Sequence, residues 1–136
     1  MHQFTKVSYT EALKLIECAV AESVKINKHI AVAVCGPEGE LIAFVRMDGA
    51  AAAASVIAQN KAYTCGRDRK STREMGDFMR TQNRPPAFWG DSGITGFGGG
   101  LPIVQDGLVI GGIGVSGLSE EDDEVIAAAA IKLVYG

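Results

Sequence analysis

Asp106-Gly107 stands between two apolar runs, LPIVQ over 101–105 and LVIGGIGVS over 108–116. An Asp-Gly pair in that setting is the strongest short-range signal for a two-residue hairpin, because both central residues of the matching turn need positive φ. The two runs must then lie side by side and antiparallel. A second hairpin is written at HIAVAVC (29–35), GPEG (36–39) and ELIAFVRM (40–47), with Pro37 presetting φ and Gly39 tolerating the reversal. In its first arm Ile30, Val32 and Val34 alternate with Ala31, Ala33 and Cys35. That strand is bulky on one face and small on the other, but apolar on both, which predicts cover on both sides.

Helices fill the remaining chain. Ser8-Tyr9-Thr10-Glu11 reads as a capping box, and Leu13, Ile16, Val20 and Val24 recur at helical spacing, giving a first helix over about 9–26. AAAAASVIAQNKAYTC (50–65) is a strong helix former, expected to break at Gly66 and the charged GRDRK. Ser71-Thr72-Arg73-Glu74 is a second capping box, opening a shorter helix to about Arg80. Ser119 caps a final helix carrying Val125, Ile126, Ala129, Leu133 and Val134. The order α-β-β-α-α-loop-β-β-α describes an α+β domain, an antiparallel sheet with flanking helices, spanning 1–136 with no repeat or internal boundary.

GIGVSG (112–117) matches the G-x-G-x-x-G pattern of dinucleotide-binding folds. The pattern needs a further strand after the helix and an acidic residue about 20 positions on, yet only the final helix follows. Glu120, Glu121, Asp122, Asp123 and Glu124 crowd the N-terminus of that helix and would repel a pyrophosphate. These glycines are better read as the place where a helix or a neighbouring subunit lies close to the strand.

A net charge of −3 over 136 residues offers no basic field for nucleic acid. No apolar run approaches the roughly 20 residues of a membrane span, and charges at Lys6, Glu11, Lys14 and Glu17 interrupt any secretory core. Cys18, Cys35 and Cys65 are odd in number and far apart, as expected for buried thiols in a reducing compartment. A cytoplasmic protein with no nucleic-acid or membrane partner is expected. His2 and His29 are the two histidines, no pattern of activated serine or metal-binding histidines occurs, and Asp48 and Asp91, the candidate paired acids, both follow turn grammar as Asp-Gly and Asp-Ser-Gly.

The unusual segment is RTQNRPPAFWGDSGITGFGGG (80–100), too rich in Pro and Gly for one regular element. A loop of this length in a small domain is usually functional or an interface. Within it, Thr95, Gly96, Phe97, Gly98, Gly99, Gly100 and the following Pro102 form the expected ligand loop, with Phe88, Trp89 or Phe97 as its wall. Its glycines permit close backbone approach, and exposed amides there could hold an anion. Aromatic neighbours suit a flat apolar ligand or a subunit contact.

AVAVCGPEGELIAFVRMDGA (31–50), QNKAYT (59–64) and above all FGGGLPIVQDGLVIGGIGVSG (97–117) resemble the GlcG/HbpS-like family, which includes the C-terminal domain of PduO-type proteins. The resemblance covers nearly the whole chain. It implies a profilin-like fold with a five-stranded antiparallel sheet, the fifth strand expected near Ile94–Phe97, and self-association into a tetramer or octamer. Studied relatives bind haem, some are credited with haem degradation, and the PduO connection lies beside cobalamin metabolism and the use of diols or glycerol. Carried onto this sequence, Thr95 or His29 would be the axial ligand, and Arg46 or Lys61 would pair with propionates or phosphates. None of the three segments contains a histidine, so modest affinity is expected. The implied function is an oligomeric small-molecule-binding protein for a tetrapyrrole, haem or a corrinoid. The alternative is an enzyme that acts on a small metabolite or degrades haem, with the glycine loop as active site.

Overall fold

A computed structural model describes residues 1–136. Ser8 Oγ accepts from the Glu11 amide at 3.1 Å while Glu11 Oε1 accepts from the Ser8 amide at 3.0 Å, so the capping box opens α1 (Tyr9–Lys25). β1 (Ala31–Cys35) and β2 (Leu41–Arg46) form the first hairpin. α2 (Ala52–Asp68) and α3 (Thr72–Thr81) follow, then a 3-10 turn, Pro86–Trp89, and an irregular run to Gly99. β3 (Gly100–Gln105) and β4 (Leu108–Ser116) turn at Asp106-Gly107, both at positive φ, and α4 (Glu120–Tyr135) starts from the Ser119 cap.

The sheet runs β2-β1-β4-β3, antiparallel throughout. Its bulky face carries Val32, Val34, Ile103, Ile113 and Val115, buried beneath α1 and α4. Its small face carries Ala31, Ala33, Cys35 and Gly112 and Gly114 of β4, and α2 lies across it through Ala54, Ala58 and Ala62. The alternation in β1 thus assigns each face its cover. All five residues of β1 are buried.

Three expectations are corrected. The sheet has four strands, not five. Residues 94–97 form no ladder, because side chains take the local amides: Thr64 Oγ1 accepts from the Thr95 amide at 3.0 Å and Thr95 Oγ1 from the Phe97 amide at 3.3 Å. α2 does not break at Gly66 but continues to Asp68 and ends on Arg69 at φ 60. Gly66 serves packing: a Cβ there would stand 2.5 Å from the Gly36 carbonyl oxygen. The glycine loop is also shorter than expected, since Gly100 and Pro102 already pair with Gly114 and Gly112 in β3. Pro102 lies on an edge strand, where its missing N–H costs no ladder bond.

The G-x-G-x-x-G pattern falls on β4, an inner strand of the sheet. A Cβ on Gly112 would stand 2.5 Å from the Ala62 carbonyl oxygen, and one on Gly114 would collide with that of Ala58. Those glycines admit α2, as read from the sequence.

Candidate functional site

The loop between the 3-10 turn and β3 is held at both ends by side chains from three helices. At its start Asp91 Oδ2 accepts from Tyr63 Oη at 2.7 Å and from Arg67 at 3.0 Å, and Asp91 Oδ1 accepts from the Gly93 amide at 2.9 Å. Arg67 also donates to Tyr63 Oη. The Tyr63 hydroxyl and the Gly93 amide, with Arg67 beside them, hold the Asp91 carboxyl below its ordinary range; the same bond to Asp91 raises the Tyr63 phenol. At its end Glu120 Oε1 accepts from the Gly98 amide at 2.6 Å and Thr72 Oγ1 from the Gly100 amide at 2.9 Å. Those two amides are therefore not free to hold an anion, contrary to expectation. Gly99 turns at φ +122, where a Cβ would stand 2.7 Å from the Asp123 side chain.

Lys61 lies behind that turn, 2% exposed. Its Nζ donates to the Val115 carbonyl at 2.8 Å and to Asp123 Oδ2 at 3.0 Å, while Asp123 Oδ1 accepts from the Leu118 amide at 3.1 Å. Burial pushes the Asp123 carboxyl up, against the pull of the Lys61 ammonium. The ammonium is thus engaged inside the protein, supporting the strand and loop around Gly99 rather than facing a ligand.

A cleft of about 300 Å³ opens where the loop crosses α3. Gly76, Met79 and Arg80 line it from the helix, Ile94, Thr95, Gly96 and Phe97 from the loop, and Pro86 from the 3-10 turn. Gly76 and Gly96 allow the crossing, since a Cβ on Gly96 would stand 2.8 Å from the Gly76 Cα. Phe97 is 58% exposed, and Phe78 and Phe88 are exposed close by on α3 and the 3-10 turn. Of the three expected aromatic walls, Phe97 lines the cleft. Trp89 instead meets the Phe78 ring edge-on at 6.1 Å, and the Arg84 guanidinium lies over the Phe88 ring. Arg80 pairs with Asp77 at the surface and also lines an adjoining charged recess with Gly98 and Glu120.

Of the expected site residues, Thr95, Gly96 and Phe97 meet in this cleft, Gly98 lines the adjoining recess, and Gly99 turns inward against Asp123 and Lys61. His29 and Arg46 do not meet it. His29 packs on Gly49 ahead of β1, and Arg46, at the end of the opposite edge strand, donates to the Ala50 carbonyl at 3.0 Å. A wider cleft of about 420 Å³ lies elsewhere, among His2, Phe4, Arg69 and Leu108, and contains none of the expected residues. Gly76, Met79 and Arg80 escaped sequence reasoning. Their spacing of three and four places them on one face of a capped helix, the signal by which they could have been found.

The cleft lining contains no carboxylate, histidine, lysine or cysteine. Its chemistry is apolar contact, a guanidinium, a hydroxyl and a thioether, which suits binding an amphipathic ligand. The chain matches the family described as haem degrading protein HbpS-like over residues 7–132. This chain belongs to the HbpS-like family. It is 36% identical to protein GlcG of Escherichia coli over 114 residues, covering 82% of this chain and 84% of GlcG. An HbpS double mutant of Streptomyces reticuli has the same fold, with TM-score 0.90 and 28% identity, covering 100% of this chain and 91% of that one. The PduOC–haem complex superposes with TM-score 0.87 and 28% identity, covering 94% of each chain.

Proposed function

We propose that this member of the HbpS-like family binds haem in the cleft between α3 and the glycine loop, within an oligomer whose second copy completes the wall. The observation that carries the reading is the pairing of an apolar, aromatic-edged cleft with one surface guanidinium, Arg80. A porphyrin is a flat apolar plane with carboxylates at one edge. Apolar burial would supply most of its affinity, and Arg80 would orient a propionate through a charge-assisted bond. The haem held by the related PduOC protein supports the same ligand class. Phe97, Met79 and Thr95 would meet the ring, and Arg80 takes the part first expected of Arg46 or Lys61.

The cleft is open and smaller than a porphyrin, which favours a site shared between copies in a tetramer or octamer. The setting is cytoplasmic in this reading. Its three cysteines are unpaired, and burial pushes the Cys35 thiol up to about 12 and raises that of Cys65. No helix is long and apolar enough to cross a membrane. A corrinoid is the related alternative ligand.

Titrating the purified protein with haem and, separately, with cobalamin tests the proposal. Haem should quench Trp89 fluorescence, raise the melting temperature and give a saturable absorption change, and Phe97→Ala and Arg80→Ala should weaken it. A response to cobalamin alone would shift the proposal to corrinoids. Silence to both would end it and leave a small metabolite as the ligand. The family description favours a second activity at the same cleft, breakdown of haem. Loss of the haem band with release of chelatable iron, under reductant and air, would establish it.

A further inference from the structure

We propose that Phe88 and Arg84 of a second copy of this chain cover the open side of the cleft, an inference that deepens the shared-site reading above and rests on it. The cleft does not end at its apolar lining. Arg80 and Gly96 line both it and the charged recess at the start of α4, so the two form one groove. Four carboxylates and two guanidiniums line the recess. Arg73 pairs with Glu124 at 3.1 Å and Arg80 with Asp77 at 2.6 Å, which leaves Glu120 and Glu121 without a cation. Glu120 accepts from the Gly98 amide, whereas Glu121 is exposed and pairs with nothing. The groove is thus apolar at one end and acidic at the other.

The segment beside the groove carries the complementary pair. Phe88 is 66% exposed, and the Arg84 guanidinium lies 5.7 Å from its ring centre, so an apolar and a cationic group stand together. Arg84 is exposed and meets no carboxylate; its side chain donates to the Gln82 carbonyl at 2.9 Å. This knob is preformed. Pro85 and Pro86 fix the backbone, the Arg84 amide donates to the Met79 carbonyl and the Phe88 amide to that of Pro85. Trp89 braces the turn against Phe78 of α3. Docking a preformed knob carries little ordering cost, and aromatic residues and Arg are the types enriched at interfaces. Pro86 of the same turn lines the cleft, so knob and groove are neighbours on one face. A two-fold contact then seats the knob of each copy in the groove of the other, one patch serving as its own complement. In that contact Phe88 of the second copy faces Phe97 across the cleft, and its Arg84 meets the unpaired Glu121.

The test is sedimentation at micromolar concentration of wild type, Arg84→Glu, Glu121→Arg, both changes in one chain, and an equimolar mixture of the single variants. Both side chains are exposed, so every variant should keep the circular dichroism of wild type. Each single variant sets like charge against like and should sediment as species smaller than wild type. The combined variant and the mixture restore both ion pairs of a two-fold contact and should recover the wild-type mass. Haem uptake should follow, several-fold weaker in the single variants and in Phe88→Ala, and recovered in the combined variant. Three results would overturn the proposal: a monomeric wild type, single variants with the wild-type mass, or a loss that neither the combination nor the mixture repairs. The last would mean that another protein occupies the groove. Haem uptake unchanged across variants that do dissociate would leave haem binding intact and remove the shared wall. If the charge swap behaves as expected and wild type takes up no haem, the contact stands and the haem reading falls.

Discussion

Asp91 receives hydrogen bonds from Tyr63, Arg67 and the Gly93 amide, and through them it ties the start of the glycine loop to α2. Its carboxyl is held below the ordinary range, chiefly by the Tyr63 hydroxyl. As pH falls, the unfolded chain therefore takes up its proton first, near the ordinary aspartate value of about 3.9. The contribution of Asp91 to stability is complete above that value and is lost as pH falls through the lower folded one. Melting temperature measured from neutral to strongly acid pH should drop for wild type, and Asp91→Asn should show a shallower drop from a lower starting point. Parallel curves would mean that the tether has no energetic role. Lys61 is the opposite case, a cation with no access to solvent or ligand. Its pairing with Asp123 holds β4 against α4 behind the loop, and losing either partner would leave a buried charge uncompensated.

At the scale of the element, the contact of α2 with the sheet has the narrowest tolerance. Alanines on the helix and glycines on β4 bring two backbones together, and what a Cβ on Gly114 would strike is the Ala58 carbonyl, not a movable side chain. Trimming a neighbour cannot relieve that collision. Gly114→Ala should thus cost about 1–3 kcal/mol, the usual range for overpacking, read as a lower urea midpoint with an unchanged slope. Stability equal to wild type would show that α2 can slide. Because α2 also carries Lys61, Tyr63, Thr64 and Arg67, a shift of this helix should disturb the loop as well, and Gly114→Ala should weaken haem binding from a distance.

Exposed apolar side chains lie on most elements, Leu13 on α1, Leu41 on β2, Leu108 on β4 and Leu133 on α4 among them, and two groups bear on the cleft and on α2. Phe78, Phe88 and Phe97 are 45%, 66% and 58% exposed around the cleft, and Val56 is 61% exposed on the outer side of α2, beside the exposed Ala52 and Ala53. Contiguous apolar patches on a small domain mark interaction surfaces. Sedimentation at micromolar concentration should show a tetramer or octamer, and replacing Val56 and Phe88 together by Asp should yield smaller species. A clean wild-type monomer would overturn the shared-site proposal and leave the cleft half-walled.

The sequence by itself determined the elements and their order. Capping boxes at Ser8 and Ser71, the Asp106-Gly107 turn and the two-residue alternation of β1 are local grammar, each decided by residues within a few positions of one another. It determined the small face of the sheet too, because a face of Ala, Cys and Gly admits a helix wherever the chain goes next. What it could not supply was the partner of each polar group. Lys61 and Asp123 are 62 residues apart and Gly98 and Glu120 are 22 apart, and no spacing rule connects such pairs. Glycine richness at 94–100 read as anion cradle, ligand wall or subunit contact, and the family resemblance implied a fifth strand near 94–97. The tertiary structure aims Thr64, Thr72 and Glu120 at the loop amides, which leaves no fifth strand and takes the Gly98 and Gly100 amides from an anion. The same packing set α3 beneath Gly96 and so brought Met79 and Arg80 to the cleft. A helix face acquires a role only from what is laid across it, and that depends on the path of the whole chain.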